Sequence, residues 1–313
     1  MNSQLRVRIN SQIRVYIMEI LALFILGCFG GFLFGMVGIG GNVLYIPIFS
    51  YFLTQIGFHD EELSRAIIAN ALLILVFTGT AVSWQQFKVG NFFLKEILLT
   101  ASTGVTAAFL ISYLIKSGNW YDKKTFDLVF TGLLFFTLLR LFATTKKNKT
   151  NEKSININGN SENLPPSVAS IPRNDNSRFS GKNLPFLLVG VITGSLTAFS
   201  GLGGSIIMIP LFTEFVGLTM KKAHSISVGV VPLLALTISL FYFFGKPTVL
   251  PLPLTQFGYL NFGMATPVIL GSMLTSPLGV KAAHKVKPRT QKMVFATIVG
   301  VVLVKMIFTF LNT

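Results

Sequence analysis

The chain has 313 residues, of which 51% are hydrophobic and only 12% are charged, and its mean hydropathy is +0.66. Soluble globular domains carry about 25% charged residues, so this composition excludes an ordinary soluble protein and indicates one that is embedded in lipid. Lysine and arginine exceed the acidic residues by 15, but this excess lies in polar segments between apolar runs, which indicates an orientation signal and not nucleic-acid binding.

Five apolar segments precede a polar stretch, and five more follow it. The first five cover residues 15–36, 43–57, 66–86, 92–115 and 126–142, and the second five cover 184–200, 204–217, 223–244, 258–283 and 292–311. Segments of about 20 residues can span a bilayer as helices, whereas the second segment of each group is short and follows clustered glycines. The sequence therefore predicts an all-α, polytopic membrane helical bundle.

A polar linker divides this bundle into two halves. Residues 144–183 are rich in Asn, Ser, Lys and Pro and show no apolar periodicity. We therefore predict a first transmembrane repeat at 1–143, a cytoplasmic linker at 144–183 and a second transmembrane repeat at 184–313. The single Cys28 excludes an internal disulfide, and no set of zinc ligands is present, so we expect no metal and no cofactor.

The second half repeats the sequence of the first. Residues 27–47 align without gaps on residues 190–210, and eight of the 21 aligned pairs are identical. The matched positions of the first half are Gly27, Gly31, Leu33, Gly38, Gly40, Gly41, Ile46 and Pro47. Unrelated stretches of this length share about one or two residues, so the chain contains an internal repeat. Further along, Arg65-Ala66 aligns with Lys222-Ala223.

The relative direction of the repeats depends on how often each half crosses the membrane. If the first two segments of a half both cross, or form a re-entrant hairpin, the repeats are inverted, whereas one broken helix would leave them parallel. Placing the basic linker and the basic loop 281–292 in the cytoplasm favours inversion and puts the acidic loop 60–62 outside. Arg6, Arg8 and Arg14 would then also lie outside, against this trend. We expect two inverted-topology repeats with glycine-broken or re-entrant helices in the inner (cytoplasmic) membrane.

Each half carries a glycine cluster inside an apolar run. The first contains Gly35, Gly38, Gly40, Gly41 and Asn42 and leads to Pro47, and the second contains Gly201, Gly203, Gly204 and Ser205 and leads to Pro210. Glycine costs a helix about 1 kcal/mol relative to alanine, and backbone groups freed inside hydrocarbon need other partners. A break therefore survives only inside protein or beside a wet cavity.

A helix that restarts after such a break can hold an anion, because its first N–H groups are exposed and its dipole is positive at that end. We predict a substrate site at these positions: Gly38, Gly40, Gly41, Asn42, Gly201, Gly203, Gly204 and Ser205. Gly35, Pro47 and Pro210 are the predicted hinges. The alternative is that the glycines only allow close packing of helices, as small residues do in membranes.

Other polar residues in the apolar segments are weaker candidates. Asn70, Ser225 and Ser227 could complete an anion site, or could bond to the carbonyl groups of their own helices. His224 lies close to these serines, at a place where an interfacial side chain is the more common finding. Arg140 and Lys305 are aligned in the last helix of each half, where they could extend to the interface or attract anions to a vestibule.

The chain resembles the sulfite exporter TauE/SafE family of bacterial membrane permeases. The resemblance rests on the paired glycine breaks that lead to proline, on the basic residue followed by alanine near the start of the next helix, and on Gly-Tyr-Leu-Asn-Phe at 258–262. Many members carry a third glycine where this chain has Asn42 and Ser205. The resemblance implies a secondary transporter of sulfur-containing anions such as sulfite and organosulfonates.

From the sequence we expect a transporter that works by alternating access between the repeats, with a small anion and the lipid bilayer as partners and the coupling ion left open. No catalytic triad or phosphate-binding loop points to an enzyme. Three alternatives stay open: a carrier of another small organic anion such as a carboxylate, a non-transporting membrane scaffold, and a channel.

Overall fold

A computed structural model of the chain describes residues 3–38, 41–118, 120–155, 183–247, 255–286 and 288–311. The helices within these ranges are α1 (Ser3–Val37), α2 (Asn42–Ile56), α3 (Asp60–Lys88), α4 (Leu94–Ser117), α5 (Lys123–Ile155), α6 (Leu184–Ser200), α7 (Ser205–Glu214), α8 (Met220–Phe243), α9 (Phe262–Lys285) and α10 (Pro288–Leu311). A short hairpin of β1 (Gln256–Phe257) and β2 (Leu260–Asn261) precedes α9. The prediction of an all-α membrane bundle is confirmed.

Five of the described helical stretches are long and apolar enough to cross a membrane. They are Ile17–Val37, Asp60–Lys88, Leu94–Ser117, Met220–Phe243 and Phe262–Ala283. The short apolar helices include α2 and α7, which follow the two glycine clusters. The chain is therefore a multi-pass membrane protein whose two short helices stand where the sequence placed them.

One boundary differs from the predicted linker. Helix α5 continues to Ile155, into the polar stretch that begins at residue 144. The first proline or glycine after the apolar segment is Gly159, so nothing in the sequence stops the helix at residue 144. Residues 156–182 of the predicted linker lie outside the described part of the chain.

Glycines join helices of the two halves at very short distances. A Cβ atom on Gly31 of α1 would lie 2.4 Å from the Cα atom of Ser272 in α9, and one on Gly194 of α6 would lie 2.1 Å from the carbonyl oxygen of Gly104 in α4. Gly31 and Gly194 are equivalent positions of the repeat. Each half therefore packs its first helix on the fourth helix of the other half, and small residues allow both backbones to approach.

The third helices of the two halves, α3 and α8, form the centre of the molecule and run antiparallel. The Ser83 hydroxyl near the end of α3 donates to the Val228 carbonyl near the start of α8 at 2.9 Å. The Ser239 hydroxyl near the end of α8 donates to the Ala69 carbonyl near the start of α3 at 3.5 Å. Since α3 and α8 are equivalent in the repeat, this arrangement is that of inverted repeats.

The two ends of this central pair differ in charge. Near the start of α3, Arg65 bonds to Glu61 at 3.2 Å and to the Ile115 carbonyl at 3.1 Å. Near the start of α8, Lys222 pairs with Glu96 of α4 at 3.1 Å. Most of the described lysines of the helices around this pair also lie at the second end. Because the cytoplasmic ends of membrane helices tend to be basic, we predict that the start of α8 faces the cytoplasm.

Candidate functional site

Both glycine clusters interrupt the helical backbone. Helix α1 ends at Val37, Gly38 has a φ of +73°, and α2 begins at Asn42. Helix α6 ends at Ser200, and α7 begins at Ser205 after Gly201, Gly203 and Gly204, whose φ values are +68°, +80° and +73°. Positive φ favours glycine over residues with a side chain, which explains why glycine stands at these four positions.

The three positions predicted as hinges lie inside helices and not in the breaks themselves. Gly35 lies inside α1, where a Cβ atom would meet the Ser276 carbonyl oxygen at 2.0 Å. Pro47 and Pro210 lie inside α2 and α7. Gly35 thus allows close packing of α1 against α9. The chain reverses at the glycines between the helices, after α1 and after α6. Gly40 lies outside the described residues.

The chain folds back on itself at each break. The Tyr45 hydroxyl in the first turn of α2 donates to the Gly27 carbonyl of α1 at 3.3 Å, and a Cβ atom on Gly41 would lie 2.8 Å from the Gly30 carbonyl oxygen. In the second half, a Cβ atom on Gly204 would lie 2.6 Å from the Thr197 hydroxyl of α6. Helices α2 and α7 therefore begin alongside the helices that precede them, which is the geometry of a re-entrant hairpin.

The two breaks meet each other. The Asn42 side-chain amide donates to the Gly201 carbonyl across the halves. The backbone of Gly203 faces Leu75 of α3 and Val231 of α8, which lie near the middle of their helices. Asn42 and Ser205 are fully buried. The breaks thus form one junction about halfway along the central antiparallel pair.

Backbone donors converge on this junction. Helices α2 and α7 begin after Gly41 and Gly204, which offer no side chain to cap the first turn, whereas α9 is capped by the Asn261 side chain. The Asn42 side-chain oxygen is buried and has no hydrogen-bond partner in the described structure. The same holds for the Ser227 hydroxyl. The N–H groups of a helix start that no side chain caps can bind a small anion, and the unpartnered Asn42 oxygen at the first start can accept a hydrogen bond from a ligand.

Asn70 and Ser225 are already bonded to protein. The Asn70 side-chain amide donates to the Ala66 carbonyl at 2.8 Å and to the Tyr259 carbonyl at 2.9 Å, and its oxygen accepts from the backbone N–H of Asn261 at 2.8 Å. Asn70 therefore attaches α3 to the hairpin of the other half. Burial raises the pKa of the Tyr259 phenol, which stays protonated in this hairpin at neutral pH. The Ser225 hydroxyl donates to the Asn91 carbonyl.

We expect Asn70→Ala to weaken the fold directly. The substitution leaves the Tyr259 carbonyl and the backbone N–H of Asn261 without their partner, and each buried unsatisfied group costs about 1–3 kcal/mol. The free energy of unfolding should fall by about 2–4 kcal/mol. Thermal unfolding of the purified variant in detergent measures this loss. A variant as stable as the wild type would show that the hairpin is not held by Asn70.

The structure does not test the predicted role of Arg140 and Lys305 in attracting anions. The side chain of Arg140 lies outside the described residues, and Lys305 is exposed near the end of α10. A role in attracting anions therefore stays a prediction for both. His224, by contrast, lies against the first break, and its proximity to Ser225 was the only signal for it in the sequence.

Comparisons with known proteins match the chain to one family and to two curated relatives. The family model described as sulfite exporter TauE/SafE matches residues 23–306. A probable membrane transporter protein from Methanocaldococcus jannaschii is 22% identical over 87% of this chain and 89% of its own length. A probable membrane transporter protein from Haemophilus influenzae is 23% identical over 88% of this chain and 93% of its own length.

No solved structure matches the chain significantly. The match to the family model covers both glycine breaks, the central helices and most of the last helix of each half. Together with the two relatives, it establishes that this chain is a membrane transporter and not an enzyme, and that it belongs to the sulfite exporter TauE/SafE family.

Proposed function

We propose that the protein is a secondary transporter that moves small sulfur-containing anions, sulfite or organosulfonates, across the membrane by alternating access. The substrate site is the junction of the two breaks. The observation that carries this proposal is the Asn42 to Gly201 hydrogen bond, which joins the start of α2 to the glycine break between α6 and α7 in the middle of the central pair. The family name is consistent with such a substrate.

The site suits a small oxyanion for electrostatic reasons. The described residues of both breaks, from Gly38 to Val43 and from Gly201 to Ile206, include no charged side chain. Backbone N–H groups and helix dipoles therefore supply the attraction, and glycine lets an oxygen atom come close to the backbone. The Asn42 side-chain oxygen accepts hydrogen bonds, so it fits a ligand with its own donor, such as the hydroxyl group of hydrogen sulfite.

Inverted repeats allow the conformational change that alternating access requires. Two halves with the same fold and opposite orientation can exchange conformations, which opens the shared central site first to one side and then to the other. The Asn42 to Gly201 bond links the halves at the point where they would move relative to each other. The anion is then held by donors from both halves in turn.

Transport in proteoliposomes tests this proposal. Counterflow of labelled sulfite, of an organosulfonate and of a carboxylate should show saturable exchange of the sulfur anions. Saturable exchange of carboxylates alone would reject the sulfur assignment in favour of an organic-anion carrier. Conductance far above carrier turnover would indicate a channel, and no flux of any anion by a folded protein would favour the scaffold.

Binding can be measured separately from transport. A ligand that binds only the folded state stabilises it by about 2.7 kcal/mol when its concentration is 100 times the dissociation constant. We therefore expect the unfolding temperature in detergent to rise with the concentration of sulfite. Chloride at the same ionic strength is the control for unspecific salt effects.

A further inference from the structure

The imidazole of His224 lies directly on the first glycine break. A Cβ atom on Gly38 would lie 1.9 Å from His224 Nε2 and 2.0 Å from its Cδ2, so a ring nitrogen contacts the backbone of the break. His224 stands in the second turn of α8 and is half-buried. A side chain from the second half thus covers the place where the chain of the first half reverses.

The equivalent position at the second break has no such group. Arg65 aligns with Lys222, so the counterpart of His224 is Ile67. Gly201, the counterpart of Gly38, contacts the aliphatic residues Ile68 and Ile46. The two breaks are thus equivalent in backbone, but only the first, among the described contacts, carries a side chain whose ordinary titration falls near neutral pH.

The charges around this end of α8 are mostly positive. The elements packed there contribute Lys221 and Lys222 on α8, Lys95 and Glu96 on α4, Lys88 on α3, Lys281 on α9 and Glu214 on α7. Glu96 is paired with Lys222 at 3.1 Å. The end of α1 and the whole of α2, residues 33–56, add only the phenols of Tyr45 and Tyr51. The ion pair joins Glu96 to Lys222 and not to His224, so a bound anion is a suitable counter-ion for an imidazolium.

We propose that His224 couples anion transport to protons. When an anion occupies the junction, one proton binds to the free ring nitrogen of His224, and the imidazolium charge adds to the attraction of the helix starts. The proton and the anion leave together, so a monovalent anion crosses with one proton as a neutral pair. This inference rests on the proposed function, because it takes an anion as the ligand of the junction.

Protonation and anion binding strengthen each other by the same factor, since coupling between two ligands is reciprocal. If one proton is taken up with each anion, the apparent affinity falls by up to about tenfold per pH unit where the free imidazole has lost its proton. Sulfite itself titrates near neutral pH and would obscure this slope. Methanesulfonate is the better probe, because its single negative charge stays constant across the pH range of the assay.

The experiment measures methanesulfonate uptake and internal pH together in proteoliposomes loaded with a pH-sensitive dye. The wild type should acidify the lumen as methanesulfonate enters, and the affinity should fall as the pH rises. His224→Gln should transport with a flat pH profile and move no protons. His59→Gln is the matched control, because His59 is exposed at the other end of α3, and it should behave as the wild type.

The outcomes separate the two proposals. Anion flux by the wild type with the same pH slope and proton movement in His224→Gln overturns the role of His224 and leaves the transporter assignment in place. Absence of any flux by the folded wild type rejects the proposed function, and this inference falls with it. His224→Asn serves as a second neutral variant if His224→Gln does not elute as a single folded species.

Discussion

Asn42→Asp should remove anion transport. The substitution keeps the size of the side chain but replaces the amide that donates to the Gly201 carbonyl with a carboxylate in a fully buried position. The carboxylate repels both the Gly201 carbonyl oxygen and an incoming anion. The lost hydrogen bond joins two neutral groups and costs about 0.5–1.5 kcal/mol, and the new negative charge next to the anion costs more, so uptake of sulfite should fall by roughly 100-fold or more.

The control makes the same chemical change away from the junction. Asn183 is exposed at the start of α6, so Asn183→Asp should transport as the wild type does. Asn42→Gly is informative as well, since it removes the side chain without adding charge and should keep more transport than Asn42→Asp. If folded Asn42→Asp transports within about threefold of the wild type, a difference below 1 kcal/mol, the junction is not where the anion binds.

The second large effect concerns stability. Gly31→Ala and Gly194→Ala should each destabilise the protein by about 3 kcal/mol or more, above the usual cost of overpacking, because the new methyl group meets backbone that cannot move aside. The closest atoms are the Ser272 Cα at 2.4 Å for Gly31 and the Gly104 carbonyl oxygen at 2.1 Å for Gly194. Thermal unfolding in detergent, followed by the fraction of protein that elutes as a single species, measures the loss.

Gly132→Ala is the control for this pair. Gly132 lies in α5, and an added Cβ atom there has no neighbour within 4 Å. Alanine is the better helix former, so Gly132→Ala should be neutral or slightly stabilising. A neutral result at both Gly31 and Gly194 would show that the first helix of each half does not pack on the fourth helix of the other half.

Much of the fold could be predicted because lipid restricts the choice of structure. Apolar segments of sufficient length must form helices, so the order and number of the main helices followed from hydropathy. The breaks could also be predicted, since Gly38 and Gly201 stand at identical places of a repeat and each belongs to a cluster of glycines that weakens a helix. Inversion followed from charge distribution only as a preference, and the hydrogen bonds of Ser83 and Ser239 support it in the structure.

The composition of the site could not be predicted in the same way. Polar residues in a helix look alike in sequence, whether they face a ligand or bond to a neighbouring backbone. Asn70 and Ser227 are both buried, yet Asn70 has three hydrogen bonds within the protein, whereas the Ser227 hydroxyl has none to the described residues. The contact between His224 and Gly38 depends on how the second half packs on the first, which the local sequence does not contain.

The most direct test of the central claim is to locate a bound anion in an experimental structure. Selenite has the shape and charge of sulfite, and its selenium atom gives an anomalous signal in crystals of the protein. We expect the selenium peak between Asn42 and the first turn of α7, within hydrogen-bonding distance of backbone amides from both breaks. A protein that transports selenite but shows its only ordered selenium peak elsewhere, with the junction closed by protein atoms, would contradict the assignment of the two breaks as the anion site.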